Sequence, residues 1–242
     1  MLELKNIYKT FNPGTINEKR ALNGLNLKLN EGDFVTVIGG NGAGKSTMLN
    51  AVAGTWPVDE GQILIDNIDV TKLSEHKRAT YLGRVFQDPM TGTAATMGIE
   101  ENLALAKRRG KSRLLRSGIT KAEREEYKEL LKILGLGLED RLTSKVGLLS
   151  GGQRQALTLL MATLQKPKLL LLDEHTAALD PKTAAKVLEI TDMIVNRDHL
   201  TTLMITHNMK DAIAHGNRLI MMMEGKIILD IQGEEKKKLT VK

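Results

Sequence analysis

The chain has 242 residues, no cysteine and a formal net charge of +6; 41% of its residues are hydrophobic, 26% charged and 3% aromatic. That length and apolar share allow one large domain, or one domain with an inserted lobe, while the missing cysteines exclude a disulfide framework and thiol chemistry. The positive surplus reads as solubility charge, since so few aromatics leave no basic–aromatic surface for stacking nucleic-acid bases.

Leu2, Leu4 and Ile7 alternate with Glu3, Lys5 and Lys9 and predict a strand. The opening Met1-Leu2-Glu3-Leu4-Lys5 has neither the basic start nor the apolar stretch of a secretion signal. Asn12-Pro13-Gly14-Thr15 predicts a turn, and residues 21–29 alternate again as a half-buried strand. Asn30-Glu31-Gly32-Asp33 then predicts a hairpin into the apolar strand Phe34-Val35-Thr36-Val37-Ile38.

That strand runs into Gly39-Gly40-Asn41-Gly42-Ala43-Gly44-Lys45-Ser46-Thr47, and residues 48–54 read as a helix with a glycine stop. Strand, glycine loop and helix form the context in which G-x-x-x-x-G-K-[ST] binds phosphate. Glycines let backbone N–H groups turn inward, and the helix N-terminus adds partial positive charge. Lys45 can reach the β- and γ-phosphates and the Ser46 hydroxyl can ligate Mg²⁺. The chain is therefore expected to bind a nucleoside triphosphate.

Residues 57–61 predict a turn, 62–66 a short strand, and 81–86 a strand ending at Gln87-Asp88-Pro89. From Met90 to Gln165 helix formers dominate, over 99–107, 121–134 and 153–164, and predict an all-helical lobe inserted into an α/β core. Lys107, Arg108, Arg109, Lys111, Arg113 and Arg116 form a basic run within it, which would face lipid headgroups or acidic partner loops. Leu149-Ser150-Gly151-Gly152-Gln153 offers an N-capping serine and glycines, hence a second helix N-terminus able to hold an anion.

The core resumes with four leucines ending in Asp173-Glu174, a strand buried on both faces. Such a strand places its carboxylates beside the phosphate loop, with Asp173 towards Mg²⁺ and Glu174 towards an attacking water. A helix over 181–196, a strand over 201–205, a short helix after Asn208 and strands over 219–223 and 226–230 follow. Gly233 to Lys238 reads as a solvated, frayed tail. No apolar run approaches the ~18–20 residues that span a bilayer, so a membrane role must come through partners.

The ordered motifs resemble the ATP-binding cassette ATPases over almost the whole chain: the phosphate loop, Gln87, the Leu149–Gln153 signature, Leu169 to Glu174, Ala178-Leu179-Asp180, and His207 after Ile205-Thr206. The resemblance implies an α/β fold: a P-loop NTPase core, with a mainly parallel sheet and an antiparallel β subdomain, plus the inserted helical lobe. Residues 1–89 and 166–232 would form the core, 90–165 the signature lobe and 233–242 the tail.

It also implies roles. Phe11 would stack on adenine, with Tyr8 the competing candidate. Lys45, Ser46 and Thr47 would bind phosphates and Mg²⁺, and Gln87 would sense Mg²⁺ and the attacking water. Ser150 and Gly152 would contact the γ-phosphate bound by a second subunit, with Gly151 and Gln153 in the same nucleotide-binding stretch. Glu174 would be the general base, with His207 aligning water and base, and Asp180 would connect the two sites across the dimer.

The implied cofactors are ATP and Mg²⁺. The implied partners are a second copy of the cassette, transmembrane permease subunits and an extracytoplasmic solute-binding protein, with no nucleic acid; the chain would sit on the cytoplasmic face of the membrane. Where the common wording after the glutamate is Pro-Thr-Ser-Ala-Leu-Asp, this chain has His175-Thr176-Ala177-Ala178-Leu179-Asp180. That variant is similar to a subset of bacterial import cassettes, some linked to aromatic amino acids, and His175 there would change local electrostatics or stiffness. The alternatives are an export or lipoprotein-release cassette, which shares this architecture, and a non-transport cassette ATPase.

Overall fold

A computed structural model describes residues 1–111 and 118–240. The chain runs β1 (Leu2–Phe11), β2 (Lys19–Leu29), β3 (Phe34–Gly39), α1 (Lys45–Ala53), β4 (Glu60–Ile65), β5 (Ile68–Asp69), α2 (Glu75–Arg78), β6 (Leu82–Val85), α3 (Ile99–Lys107) and α4 (Lys121–Lys132). It continues α5 (Gly151–Thr163), β7 (Leu169–Asp173), α6 (Pro181–Asp198), β8 (Thr201–Ile205), α7 (Met209–Ala214), β9 (Arg218–Met223), β10 (Lys226–Gln232) and α8 (Glu234–Lys237).

Two sheets organise these elements. The central one has the order β10-β9-β3-β8-β7-β6, parallel except for β10. The other is antiparallel, β2-β1-β4-β5. A mainly parallel core with an antiparallel subdomain and helices is the expected fold class. The leucines of β7 are fully buried because both faces of the central sheet are covered. One face (Val35, Val37, Leu169, Leu171, Leu203, Ile205) packs on α1 and the antiparallel sheet. The other (Val85, Leu170, Leu172, Met204) packs on α6 and on α3, α4 and α5.

Three expectations need correction. The turn at Asn30–Asp33 does not join a hairpin, because β2 lies in the antiparallel sheet and β3 in the middle of the parallel one. Gly32 N–H donates to Thr201 Oγ1 (3.0 Å) and Thr202 N–H to the Asp33 carbonyl (2.8 Å), which steers β3 to β8. The turn over 57–61 ends sooner than expected, since β4 starts at Glu60 to pair with Tyr8.

The tail is not frayed at Gly233–Lys238. Lys236 is 2% exposed in α8, and its ammonium donates to the His215 and Gly216 carbonyls and to Thr36 Oγ1. Burial pushes this lysine down to about 8, opposed by the Asp192 carboxylate.

Of the basic run, Lys107 pairs with Glu126 and Arg108 with Glu123 across α3 and α4, while Arg113 and Arg116 lie outside the described residues. No helix among the described residues is long and apolar enough to cross a membrane.

Candidate functional site

The phosphate loop connects the C-terminal end of β3 to α1 at the carboxyl edge of the parallel sheet, where open α/β sheets bind ligands. Two glycines make its path possible. Gly39 has φ 151°, and a Cβ there would stand 2.4 Å from the Met222 carbonyl; Gly44 has φ 100°, and its Cβ would stand 2.5 Å from the Ala21 carbonyl. Lys45 is 7% exposed and its ammonium donates to the Gly39 (2.7 Å) and Gly40 (3.1 Å) carbonyls. The charge is thus held over the loop rather than released to solvent.

A cavity of about 260 Å³ opens on this loop, lined by residues 41–47 together with Phe11, Lys19, Ala21 and Glu174. Phe11 meets Trp56 edge-on, with ring centroids 5.1 Å apart, so it presents a fixed aromatic wall. Tyr8 instead sits with its hydroxyl against Gly24 and does not line the cavity. Lys19 and Trp56 escaped the sequence reading: a lysine opening a strand and a tryptophan after a helix carry no signal until the fold sets the one beside the loop and the other against Phe11.

Glu174 directly follows β7 with φ 47°, in the left-handed region that a glutamate enters only when its surroundings compel it. Its N–H donates to the Ile205 carbonyl (3.0 Å) and its carbonyl accepts from Ala177 N–H (2.9 Å). This twist sends the carboxylate towards His207, whose Nδ1 is 3.4 Å from Glu174 Oε2. Glu174 also lines a second cavity of about 430 Å³ with His207, Leu179 and His215, and so stands between the two.

Asp173 points elsewhere. Its Oδ2 is 3.5 Å from Arg84, whose guanidinium also donates to Asn50 Oδ1 (2.8 Å) and Thr55 Oγ1 (3.1 Å). Burial pushes the Asp173 carboxyl up, opposed by Arg84 and reinforced by the Glu174 charge. Arg84 and Asn50 were not singled out from the sequence, because their partners are distant along the chain.

The signature residues gather away from the phosphate-loop cavity. Ser150 caps α5, accepting from Gln153 N–H (3.3 Å), while Gln153 Oε1 accepts from Ser150 N–H (3.2 Å). The buried Arg154 braces this corner by donating to the Val146 and Gly147 carbonyls. A Cβ on Gly152 would stand 2.1 Å from Thr183 Cγ2, and one on Gly151 3.2 Å from Leu179 Cδ2. These glycines therefore let the N-termini of α5 and α6 approach each other.

Asp180 caps α6, and the bonds from Thr183 hold its carboxyl below the usual carboxylate value. Gln87 is exposed beyond β6, next to the Phe86 carbonyl that accepts from Gln155 (2.9 Å). Phe11, the loop residues and Glu174 thus share one cavity, with His207 beside Glu174. Ser150 to Gln153, Asp180 and Gln87 do not line it.

Comparisons with known proteins show which family the chain belongs to. A family model described as ABC transporter matches residues 22–177. The tyrosine transport ATP-binding protein of Clostridioides difficile (strain R20291) is 46% identical over 242 residues, which are 100% of this chain and 96% of that protein. The spermidine/putrescine import ATP-binding protein PotA of Haemophilus influenzae is 34% identical over 95% of this chain, which spans 57% of that protein's length. Among solved structures, the ATP-binding cassette MJ0796, in a dimeric post-hydrolysis state bound to ADP and Pi, aligns with a TM-score of 0.80 at 32% identity, covering 96% of this chain and 98% of that one.

Proposed function

The chain belongs to the ABC transporter family, and from that premise we propose that it is the ATP-hydrolysing subunit of a membrane importer whose solute is an aromatic amino acid. The solute class is supported by the Clostridioides relative, named for tyrosine transport, and by the wording of residues 175–180. The observation that carries the enzymatic reading is one cavity in which the phosphate loop, Lys45 and Glu174 meet, with His207 3.4 Å from Glu174.

Each residue has a task that follows from its chemistry. Backbone N–H groups of 39–46 and the start of α1 receive the phosphates, and Lys45 turns from the loop carbonyls to the β- and γ-phosphates. Phe11 stacks on the adenine. Glu174 takes a proton from the attacking water as general base, and His207 orients that water and contacts the γ-phosphate. Ser46 and Asp173 are hard oxygen donors that would suit Mg²⁺, with Gln87 joining from the segment just beyond β6; such an ion would offset phosphate charge.

Ser150 to Gln153 are an anion-binding helix start without a phosphate loop of their own chain beside it. They serve the nucleotide of a second copy, so two chains sandwich two ATP molecules, and Asp180 links the two sites. Closure of that pair moves the lobes against the permease subunits near Gln87, and hydrolysis reopens it. The assembly lies on the cytoplasmic face of the membrane and receives its solute from an extracytoplasmic binding protein.

The test is light scattering of purified Glu174→Gln protein with and without ATP–Mg²⁺. A dimer that forms only with nucleotide is expected, together with loss of hydrolysis. Parental hydrolysis, or a mass that ignores nucleotide, would overturn the reading.

A further inference from the structure

Two neighbouring residues of α6 each hold a histidine. Thr191 Oγ1 is 3.1 Å from His175 Nε2, and Asp192 Oδ2 is 2.7 Å from His215 Nδ1. His175 directly follows Glu174. His215 closes α7, a short helix that begins two residues after His207. The two residues that meet at the hydrolytic centre are therefore each followed by a tether to adjacent positions of one helix.

The bond to His175 has a defined direction. The Thr191 hydroxyl donates its one proton to the Val187 carbonyl (2.8 Å), so it can only accept from the imidazole. His175 therefore carries a proton on Nε2. Its side chain is buried, the residue being 2% exposed, and burial, aided by the nearby His215, pushes it down to about 4. It exchanges no proton near neutrality and lines neither cavity beside Glu174. What it offers is a fixed point in the interior.

The turn needs one. Glu174 has left-handed φ, and residues 174–179 are held by two short-range bonds, Ala177 N–H to the Glu174 carbonyl and Leu179 N–H to the Thr176 carbonyl (3.1 Å). Such a turn has no regular ladder to stiffen it. We propose that His175 is a positioning residue: through its hydrogen bond to Thr191 it fixes the turn that carries Glu174 and so sets the distance from Glu174 to His207. This rests on the reading of Glu174 as the general base. The effect passes through geometry alone, since the imidazole touches neither phosphate nor water.

Thr191→Val is the first variant: it keeps the size of a fully buried side chain and removes the hydroxyl, both as acceptor from His175 and as donor to the Val187 carbonyl. In the full-length chain it lowers kcat for ATP hydrolysis roughly tenfold, within the range for slight misplacement of a reacting group, and leaves KM for ATP within about twofold. Thr191→Ser keeps the acceptor and restores kcat. His175→Leu repeats the Thr191→Val result, and Thr191→Val adds no further loss in Glu174→Gln protein. Parental kcat in Thr191→Val, or a loss shared equally by Thr191→Ser, overturns the proposal while loss of hydrolysis in Glu174→Gln upholds the base. Parental kcat in Glu174→Gln overturns the base reading, and the proposal with it.

Discussion

Gly152→Ala tests whether the signature helix is glycine-rich for packing as well as for anion approach. The added methyl would stand 2.1 Å from Thr183 Cγ2, well inside contact distance, and 3.6 Å from Thr183 Cβ. Thr183 lies in the first turn of α6, its N–H held by Asp180 Oδ1 at 3.1 Å, and a β-branched side chain has few rotamers in a helix. If Thr183 rotates off its rotamer the cost is about 1 kcal/mol; if α5 and α6 move apart it reaches about 3 kcal/mol, as for other overpacked sites. The expected result is a lower urea midpoint at unchanged slope, equivalent to about 1–3 kcal/mol. Gly152→Ala with Thr183→Ser deletes the clashing methyl, leaves the 3.6 Å contact and recovers most of that loss. A single variant as stable as the parent, or a double variant no better than the single, would refute the packing argument and leave Gly152 to the anion alone.

Three more outcomes follow from buried charge. Lys236 is pushed down to about 8, so the unfolded chain holds its proton more tightly, and the parent gains stability over Lys236→Met as pH rises from 8 to 10.5; paired unfolding curves should show a gain of at most about 3 kcal/mol. His175, pushed down to about 4, is neutral when folded and charges when unfolded, so acidification from pH 6.5 to 4 destabilises the parent by up to about 3 kcal/mol, and a His175→Leu comparison isolates that share. Arg84→Met leaves the half-buried Asp173 carboxylate without its cation and removes the bonds to Asn50 and Thr55; about 3 kcal/mol is lost in urea unfolding, more than for Asp173→Asn with Arg84→Met together.

What was legible in the sequence is what is local. The phosphate loop, the β7 leucines with Asp173-Glu174, and the Ser150 cap each combine a short pattern with its own physical reason. Even the strand over 201–205 matches β8 residue for residue, because a buried parallel strand is a continuous apolar run. Sheet membership was not legible. Asn30–Asp33 has the composition of a hairpin turn, and only the bonds of Gly32 and Thr202 across the chain send β3 to the other sheet. Lys236 is one of three successive lysines, and nothing in that run says which one reaches the His215 carbonyl. Nor does spacing reveal that Gly152 meets Thr183, or that Lys19 faces the phosphate loop.

The two faces of the central sheet divide the work. Lys45 and α1 belong with the face built from Val35, Val37, Leu169 and Leu171, which packs on the antiparallel sheet. On the opposite face α6 packs with the lobe helices and with Leu170, Leu172 and Met204. Along its length α6 receives Asp180 at its cap, Gly152 against Thr183, His175 at Thr191 and His215 at Asp192. A helix transmits displacement along its axis because each turn is hydrogen-bonded to the next. The signature corner and the turns carrying Glu174 and His207 thus share one helix, while α1 beside the Lys45 loop packs on the other face. Substitutions along α6 should accordingly move turnover more than nucleotide affinity, and substitutions around α1 the reverse.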